Sequence, residues 1–346
     1  MHLPQRQLGL RIENMVTEYT ATARAHSNIA FIKYWGNRDS GIRLPANSSL
    51  SMNLAALHST TSVTWSDALE EDRLLINDEP AVPAALLRVS AHLDTLRAEL
   101  RSTLHADVSS HNNFPMGAGI ASSASAFAAL TLAATAALGM RLSERELSLL
   151  ARRGSGSAAR SIPTGFVEWH AGSADKDSYA ESIASPDYWP LEDVIAVISR
   201  DHKHVGSTMG HATANTSILQ RVRVETAADR LLSAIHAILA RDFEALAPVV
   251  EEDSNLMHAV MMTSKPSLFY WLPKSLRVML AVQEWRRQGL QVCYTLDAGP
   301  NVHCICGAQD AAVVAARLKE LDPDIEVIRS AVGGGAQLLT ANDRTD

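Results

Sequence analysis

The stretch Val108-Ser-Ser-His-Asn-Asn-Phe-Pro-Met-Gly-Ala-Gly-Ile-Ala-Ser-Ser-Ala-Ser constrains this chain more than any other. β-prone residues enter a loop with glycines at 117 and 119, and an alanine-rich segment follows to about Gly139. That order reads as strand, glycine loop and helix. Glycines let a backbone approach a phosphate closely, and a helix N-terminus offers free N–H groups and partial positive charge. Pro115, Gly117, Gly119 and Ala121 shape the loop, while Ser122, Ser123 and Ser125 add hydroxyls. The spacing is not that of the lysine-terminated phosphate loop, nor of the dinucleotide fingerprint, which needs glycine at Ser122. On these residues alone, a nucleotide-phosphate cradle and a tight turn opening a packed helix stand equal.

The rest of the chain reads as mixed α+β rather than strict βαβ alternation. Tyr19 to Trp35 is extended, and 50–57 and 60–65 read as two further strands. Residues 82–101 carry leucines at helical spacing, and Ser143 with Glu146 forms a capping box for a helix to about Arg153. Beyond a strand at 192–198, residues 215–247 and 275–288 look helical. Strands follow at 291–296, 303–306 and 325–329, and Gly333-Gly-Gly reads as a flexible turn. A chain of 346 residues is too long for one compact core. The expected division is a loosely held extension over 1–16, with Met15 as an alternative start, then domains at 17–190 and 191–346.

Lys and Arg number 31 against 38 Asp and Glu, a formal charge of −7. That balance gives no general attraction to nucleic acid or acidic lipid, so an anionic ligand needs a local cationic site. Three cysteines exclude a disulfide framework and fit a reducing cytoplasm. Cys304 and Cys306 share a strand face, and buried thiols are the expectation for them. The longest weakly polar run, Ala124 to Met140, is shorter than the roughly 20 residues a membrane span needs. The expectation is a cytoplasmic enzyme with a small-molecule substrate and neither a nucleic-acid nor a membrane partner.

Four segments together carry a resemblance. They are Asn28-Ile-Ala-Phe-Ile-Lys-Tyr-Trp-Gly36 with Leu44-Pro-Ala-Asn-Ser-Ser-Leu-Ser51; Asn112 to Ser125; Gly154 to Ser161 running on to Gly165-Phe-Val-Glu-Trp169; and Asp297-Ala-Gly-Pro-Asn301. In this order they resemble the superfamily of galactokinase, homoserine kinase, mevalonate kinase and phosphomevalonate kinase (GHMP), and within it the mevalonate diphosphate decarboxylase branch. The resemblance implies a two-domain α+β GHMP-kinase fold. Its N-terminal half would be like ribosomal protein S5 domain 2 and its C-terminal half ferredoxin-like, with the active site in the cleft between them. It also implies ATP as co-substrate, Mg²⁺ carried with ATP and touched by Ser123 without a dedicated cage, and a homodimer.

In that branch ATP phosphorylates the C3 hydroxyl of a 5-phosphorylated mevalonate, and loss of the new phosphate accompanies loss of CO2. Asp297, at a strand end before Ala-Gly-Pro, suits a partner for the hydroxyl, or a residue capping its own turn. Arg160 suits the substrate carboxylate, or an interdomain salt bridge. The resemblance makes Asn28 a positioning amide and Lys33 a nearby cation, where residues alone allow a surface lysine. Five residues separate them, so a bulge is needed for both to face one site. Tyr34, Ser155 and Ser157 are further substrate-side candidates, though tyrosine beside Trp35 also suits packing. His202 and His204 read as a solvated or phosphate-facing cluster rather than a metal pair.

Two departures bear on the substrate. Relatives using the diphosphate typically read Lys-Tyr-Trp-Gly-Lys, where this chain has Asn37. The segment Val205-Gly-Ser-Thr-Met-Gly-His211 lacks an arginine present in some relatives. The expectation is therefore a monophosphate substrate: 5-phosphomevalonate converted to isopentenyl phosphate, with Ser207, Thr208 and His211 on the phosphate. The alternative is 5-diphosphomevalonate giving isopentenyl diphosphate. A 3-kinase without decarboxylation is disfavoured by Arg160, and a non-catalytic binding protein by the intact loop and Asp297.

Overall fold

Alternation of small apolar and hydroxyl residues makes β1 (Glu18–Ile32) a long strand with two different faces. In the computed structural model, which describes residues 16–114, 122–200 and 207–340, β1 pairs antiparallel with β4 (Ser49–Ser66). Between them the chain makes a small hairpin of β2 (Asn37–Asp39) and β3 (Leu44–Pro45). Ala23, Ala25, Val63 and Trp65 bury one face of the β1–β4 ribbon, while Thr20–Thr64 and Thr22–Ser62 hydrogen bond across the other.

β5 (Arg73–Ile76), β6 (Glu79–Pro80), α1 (Pro83–Leu100) and β7 (His105–Asn112) follow, and then α2 (Ser122–Ala137). The alanines of α2 allow it to lie closely on the buried face, where Trp65 Nε1 donates to the Ala134 carbonyl at 2.9 Å. α3 (Glu144–Gly154) begins with the expected Ser143–Glu146 capping box. A 3₁₀ turn over Gly156–Ser161 leads into β8 (Phe166–Trp169) and β9 (Ala180–Ala184), which complete an eight-stranded sheet.

The expected break between strands near residues 58–60 does not occur. β4 is continuous because it changes partner there, pairing with β8 over Ser49–Met52 and with β7 over Ser59–Ser66. Opposite His26/Ser27 of β1 the register shifts, with Ala55, Ala56 and Leu57 of β4 as the extra residues, and a second irregularity falls on β1 between Ala30 and Ile32.

The second half holds β10 (Leu191–Val197), α4 (Ser207–Thr213), α5 (Gln220–Glu225), α6 (Ala227–Ala240), α7 (Phe243–Thr263), α8 (Pro273–Arg287), β11 (Val292–Thr295), β12 (Val302–Gly307), α9 (Ala311–Leu321) and β13 (Glu326–Ala331). The helical run expected over 215–247 is broken at Thr226 and at Arg241, where φ is +53°, and α7 continues far past residue 247. The strands form an antiparallel sheet in the order β11-β12-β10-β13. One face packs on α8 and α9 through Val194, Cys304, Val282 and Val314. The other joins Ile195 and Ile305 to Ile238 and Val250, and to Ile29 and Met52 of the first half. The two sheets thus share one apolar core, and all three cysteines are buried and unpaired.

The tail corrects a further expectation. Gly333 donates to the Asn53 carbonyl at 2.7 Å, and a Cβ on Gly335 would stand 2.5 Å from the Ile162 carbonyl oxygen. The glycines are there for close packing, and β14 (Gln337–Leu338) then pairs with β1. Residues 1–15, the loop positions Pro115, Gly117, Gly119 and Ala121, and His202 and His204 lie outside the described residues.

Candidate active site

Just past the end of β1, Lys33 is 1% exposed, and its Nζ lies 2.7 Å from Asp297 Oδ1. Burial lowers the Lys33 pKa against the opposing pull of Asp297. Asp297, in the loop after β11, keeps 25% of its side-chain surface open. The pair therefore has one buried member and one that reaches the cleft. The irregularity at Ala30/Ile32, between Asn28 and Lys33, is the kind of departure from regular strand that bringing both to one site demands.

Asn28 and Arg160 meet behind this pair. Arg160 donates to Ser49 Oγ at 2.6 Å and to Asn28 Oδ1 at 3.3 Å, and Asn28 donates onward to Ser161 Oγ at 2.8 Å. Arg160 is almost wholly buried, its Nε lacks a partner, and burial pulls its pKa down to about 10. No described carboxylate forms an ion pair with it, so the interdomain salt bridge is not what holds it. The short, small-residue segment that carries it brings Gly156 against the Tyr34 ring, where a Cβ would lie 2.4 Å away.

Tyr34 stacks on His211 with ring centroids 4.1 Å apart and meets Trp169 edge-on at 4.7 Å. Its hydroxyl donates to Asn37 Oδ1 at 2.6 Å, and burial raises its pKa to about 12. The Gly36 N–H donates to His211 Nδ1 at 3.0 Å, which assigns that nitrogen as an unprotonated acceptor. Ser155 Oγ lies 3.2 Å from Ser123 Oγ, at the start of α2. The Ser157 carbonyl accepts from Asn28. Ser207 and Thr208 begin α4, and their side chains lie outside what is described.

On the other side of Ser123, a cavity of about 200 Å³ is lined by Ile76, Val89 and Phe127 together with Asn112, Ser122 and Arg88. Ser125 does not face it as expected of a phosphate donor. It is fully buried and bonds to Ser59 Oγ at 2.7 Å, fastening α2 to β4. Among the described residues no cluster of His, Cys, Asp and Glu could hold a metal ion.

Several residues that sequence reading passed over brace this site. Asp253 on α7 is fully buried and accepts from the Lys33 backbone N–H at 2.6 Å and from Arg230 Nε at 2.8 Å. Arg223 donates to the Lys33 carbonyl at 2.7 Å. His258 is buried beneath Asp297, bonded to the backbone of Leu296 and Asp297, and its pKa is pushed down to about 3, chiefly by burial. The available signal was polar residues Asp253, Ser254 and His258 on the same helical face as Val250, Met257 and Met261.

Two family models account for nearly the whole described chain. A diphosphomevalonate decarboxylase-like N-terminal domain matches residues 25–180, and a mevalonate 5-diphosphate decarboxylase C-terminal domain matches 193–342. The chain belongs to the diphosphomevalonate decarboxylase family. It is 39% identical to the human diphosphomevalonate decarboxylase over 304 residues, covering 81% of this chain and 75% of that one. The Ganoderma lucidum diphosphomevalonate decarboxylase is 39% identical over 308 residues, with coverages of 82% and 77%. Mevalonate diphosphate decarboxylase from Staphylococcus aureus superposes with a TM-score of 0.90 at 36% identity, covering 94% of this chain and 99% of that one. A complex of the protein designated MDDEF with MVAPP, AMPPCP and magnesium gives 0.90 at 35% identity, with coverages of 94% and 100%. The two-domain mixed fold and the decarboxylase family are thus as the four segments implied. The monophosphate expectation is not supported, since these relatives carry the diphosphate in their names and the family findings favour the alternative.

Proposed function

We propose that this enzyme converts 5-diphosphomevalonate and ATP into isopentenyl diphosphate, CO2, ADP and phosphate. The observation that carries it is the buried Lys33 beside the half-open Asp297, with the Arg160–Asn28–Ser49 group behind. Asp297 orients the C3 hydroxyl and accepts its proton as the oxygen attacks the γ-phosphorus of ATP and ADP leaves. Lys33 holds the Asp297 carboxylate in place and stabilises its charge. When the C3–O bond breaks, phosphate departs with that electron pair. The electrons of the carbon–carboxylate bond then form the double bond, releasing CO2. Arg160 offers a planar fork that aligns the carboxylate for this elimination.

The about 200 Å³ cavity, apolar on one side and edged by serines, suits the ATP base. Mg²⁺ would arrive with ATP and be touched by Ser123, and it supplies neutralising charge for the phosphates. Ser155 and Ser157 then serve the substrate, with Ser207, Thr208 and His211 near its phosphate tail. We further propose cytoplasmic residence, a homodimer, and domains meeting near residue 190. Apart from β14, which returns to β1, strands of the large sheet run to Ala184 and those of the small sheet begin at Leu191, which supports that boundary. Among the described residues no helix is long and apolar enough to cross a membrane.

A matched assay with ATP and Mg²⁺ on 5-diphosphomevalonate and 5-phosphomevalonate, following CO2 and ADP together, tests the reaction. CO2 and ADP in equal amounts from the diphosphate are expected. ADP without CO2 would make the protein a kinase, and CO2 from the monophosphate alone would restore the smaller substrate.

A further inference from the structure

Two arginines beside the substrate site have no carboxylate to answer. Arg43 ends the turn between β2 and β3 with a left-handed backbone (φ 50°), and its Nε donates to the Arg153 carbonyl at 3.0 Å. Arg88, on α1, donates to the Gly154 carbonyl at 3.3 Å and lies over the Phe127 ring at 4.6 Å, with its Nε buried and unpartnered. Among the described residues neither guanidinium pairs with an Asp or Glu. Main-chain carbonyls of consecutive residues therefore fix both, directly before Ser155.

The two charges act on the same small region. Burial first, and the Arg43 charge after it, pull the pKa values of Arg88 and His92 down, and the same charge opposes the burial that raises the Tyr34 pKa. Like charges held close without a counter-ion are unfavourable, and a bound anion relieves them. Asn37 is neutral and spends its carbonyl oxygen on Tyr34, so it brings no charge here. Lys33 and Arg160 are engaged at the reacting end, with Asp297 and with Asn28 and Ser49. The hairpin pairs Asn37 with Pro45, two residues past Arg43, so the arginine returns to the neighbourhood of the neutral asparagine.

We propose that Arg43 holds the outer phosphate of the substrate's 5-diphosphate and sets the preference for diphosphate over monophosphate. The inference rests on the diphosphomevalonate reading above. A guanidinium fork matches a terminal phosphate in two parallel hydrogen bonds, and the added phosphate of the diphosphate is the group that rewards it.

The test uses the full chain, saturating ATP and Mg²⁺, and both substrates in parallel. Arg43→Gln is expected to lower the diphosphate-to-monophosphate ratio of kcat/KM about tenfold or more, through a raised KM for the diphosphate. Arg43→Lys should recover part of that ratio. Asn37→Lys in the Arg43→Gln background should recover it too, by returning a charge from the facing strand, and this also shows that the hairpin is intact. An unchanged ratio, an equal loss on both substrates, or a raised KM for ATP in place of the diphosphate would overturn the assignment. A wild-type enzyme that prefers the monophosphate would overturn the substrate reading itself, and that result is obtained before any variant is made.

Discussion

At the reacting end of the site, cations are braced from several sides. Lys33 is held through its amine by Asp297, through its N–H by Asp253 and through its carbonyl by Arg223, while Arg160 rests on Ser49 and Asn28. At the tail end, Arg43 leans on a single main-chain carbonyl. The difference follows from the work each end does. Where bonds break, charges must stand in position before the transition state forms, so reorganisation is prevented in advance. Where a phosphate is only gripped, a long side chain can settle on its ligand, and the residue supplying the charge can change place between β2 and the turn that follows.

If the reacting end is preorganised, removing its one half-open carboxylate is the most damaging change. Asp297→Asn is expected to lower kcat about a thousandfold or more, with the fold and ATP binding preserved and some thermal stability lost because buried Lys33 loses its carboxylate partner. A variant retaining a tenth of the activity would show that Asp297 has another task. Cutting the brace behind Lys33 should strike stability as well. Asp253→Asn leaves Arg230 buried and uncompensated and should cost about 3–5 kcal/mol in urea unfolding. An unmoved midpoint would show that the bracing is incidental.

The surroundings of Arg43 make a third, pH-dependent expectation. His92 is fully buried, and desolvation with the Arg43, Arg88 and Arg153 charges pushes its folded pKa to about 3, below the ordinary 6.5. Below pH 6.5 the unfolded chain gains a proton that the folded one refuses. The stability is complete above 6.5 and drains away as pH falls toward 3. At pH 5 this amounts to about 2 kcal/mol, and His92→Gln should flatten that part of the pH profile. An identical profile would place the acid sensitivity elsewhere. The smallest effect concerns the nucleotide side: Ser125→Ala should cost about 1 kcal/mol of stability and leave the KM for ATP alone. A raised KM would return Ser125 to the phosphates.

What the sequence made legible was local chemistry with an unusual composition. The small residues around Arg160, the carboxylate before Ala-Gly-Pro and the capping box at Ser143 each stand out from their neighbours. The braces do not. Asp253 and His258 occupy core positions of α7, and a hydrophobic period registers that face without showing that it points at Asp297. β4 hid its continuity for a related reason, since a strand that changes partners in mid-course looks like two strands. Asn37 could be read only with the hairpin that faces it, whose closing residues follow it in the chain.

The return of β14 to β1 has a consequence for how the molecule is made. β14 adds to the edge of the large sheet beside β1, and Gly333 and Gly335 lock it against Asn53 and Ile162. During synthesis, β1 therefore waits with an unsatisfied edge until Gln337 and Leu338 have left the ribosome. A segment far downstream seals β1, so a transcript cut before Gln337 would release a protein whose β1 edge is still bare.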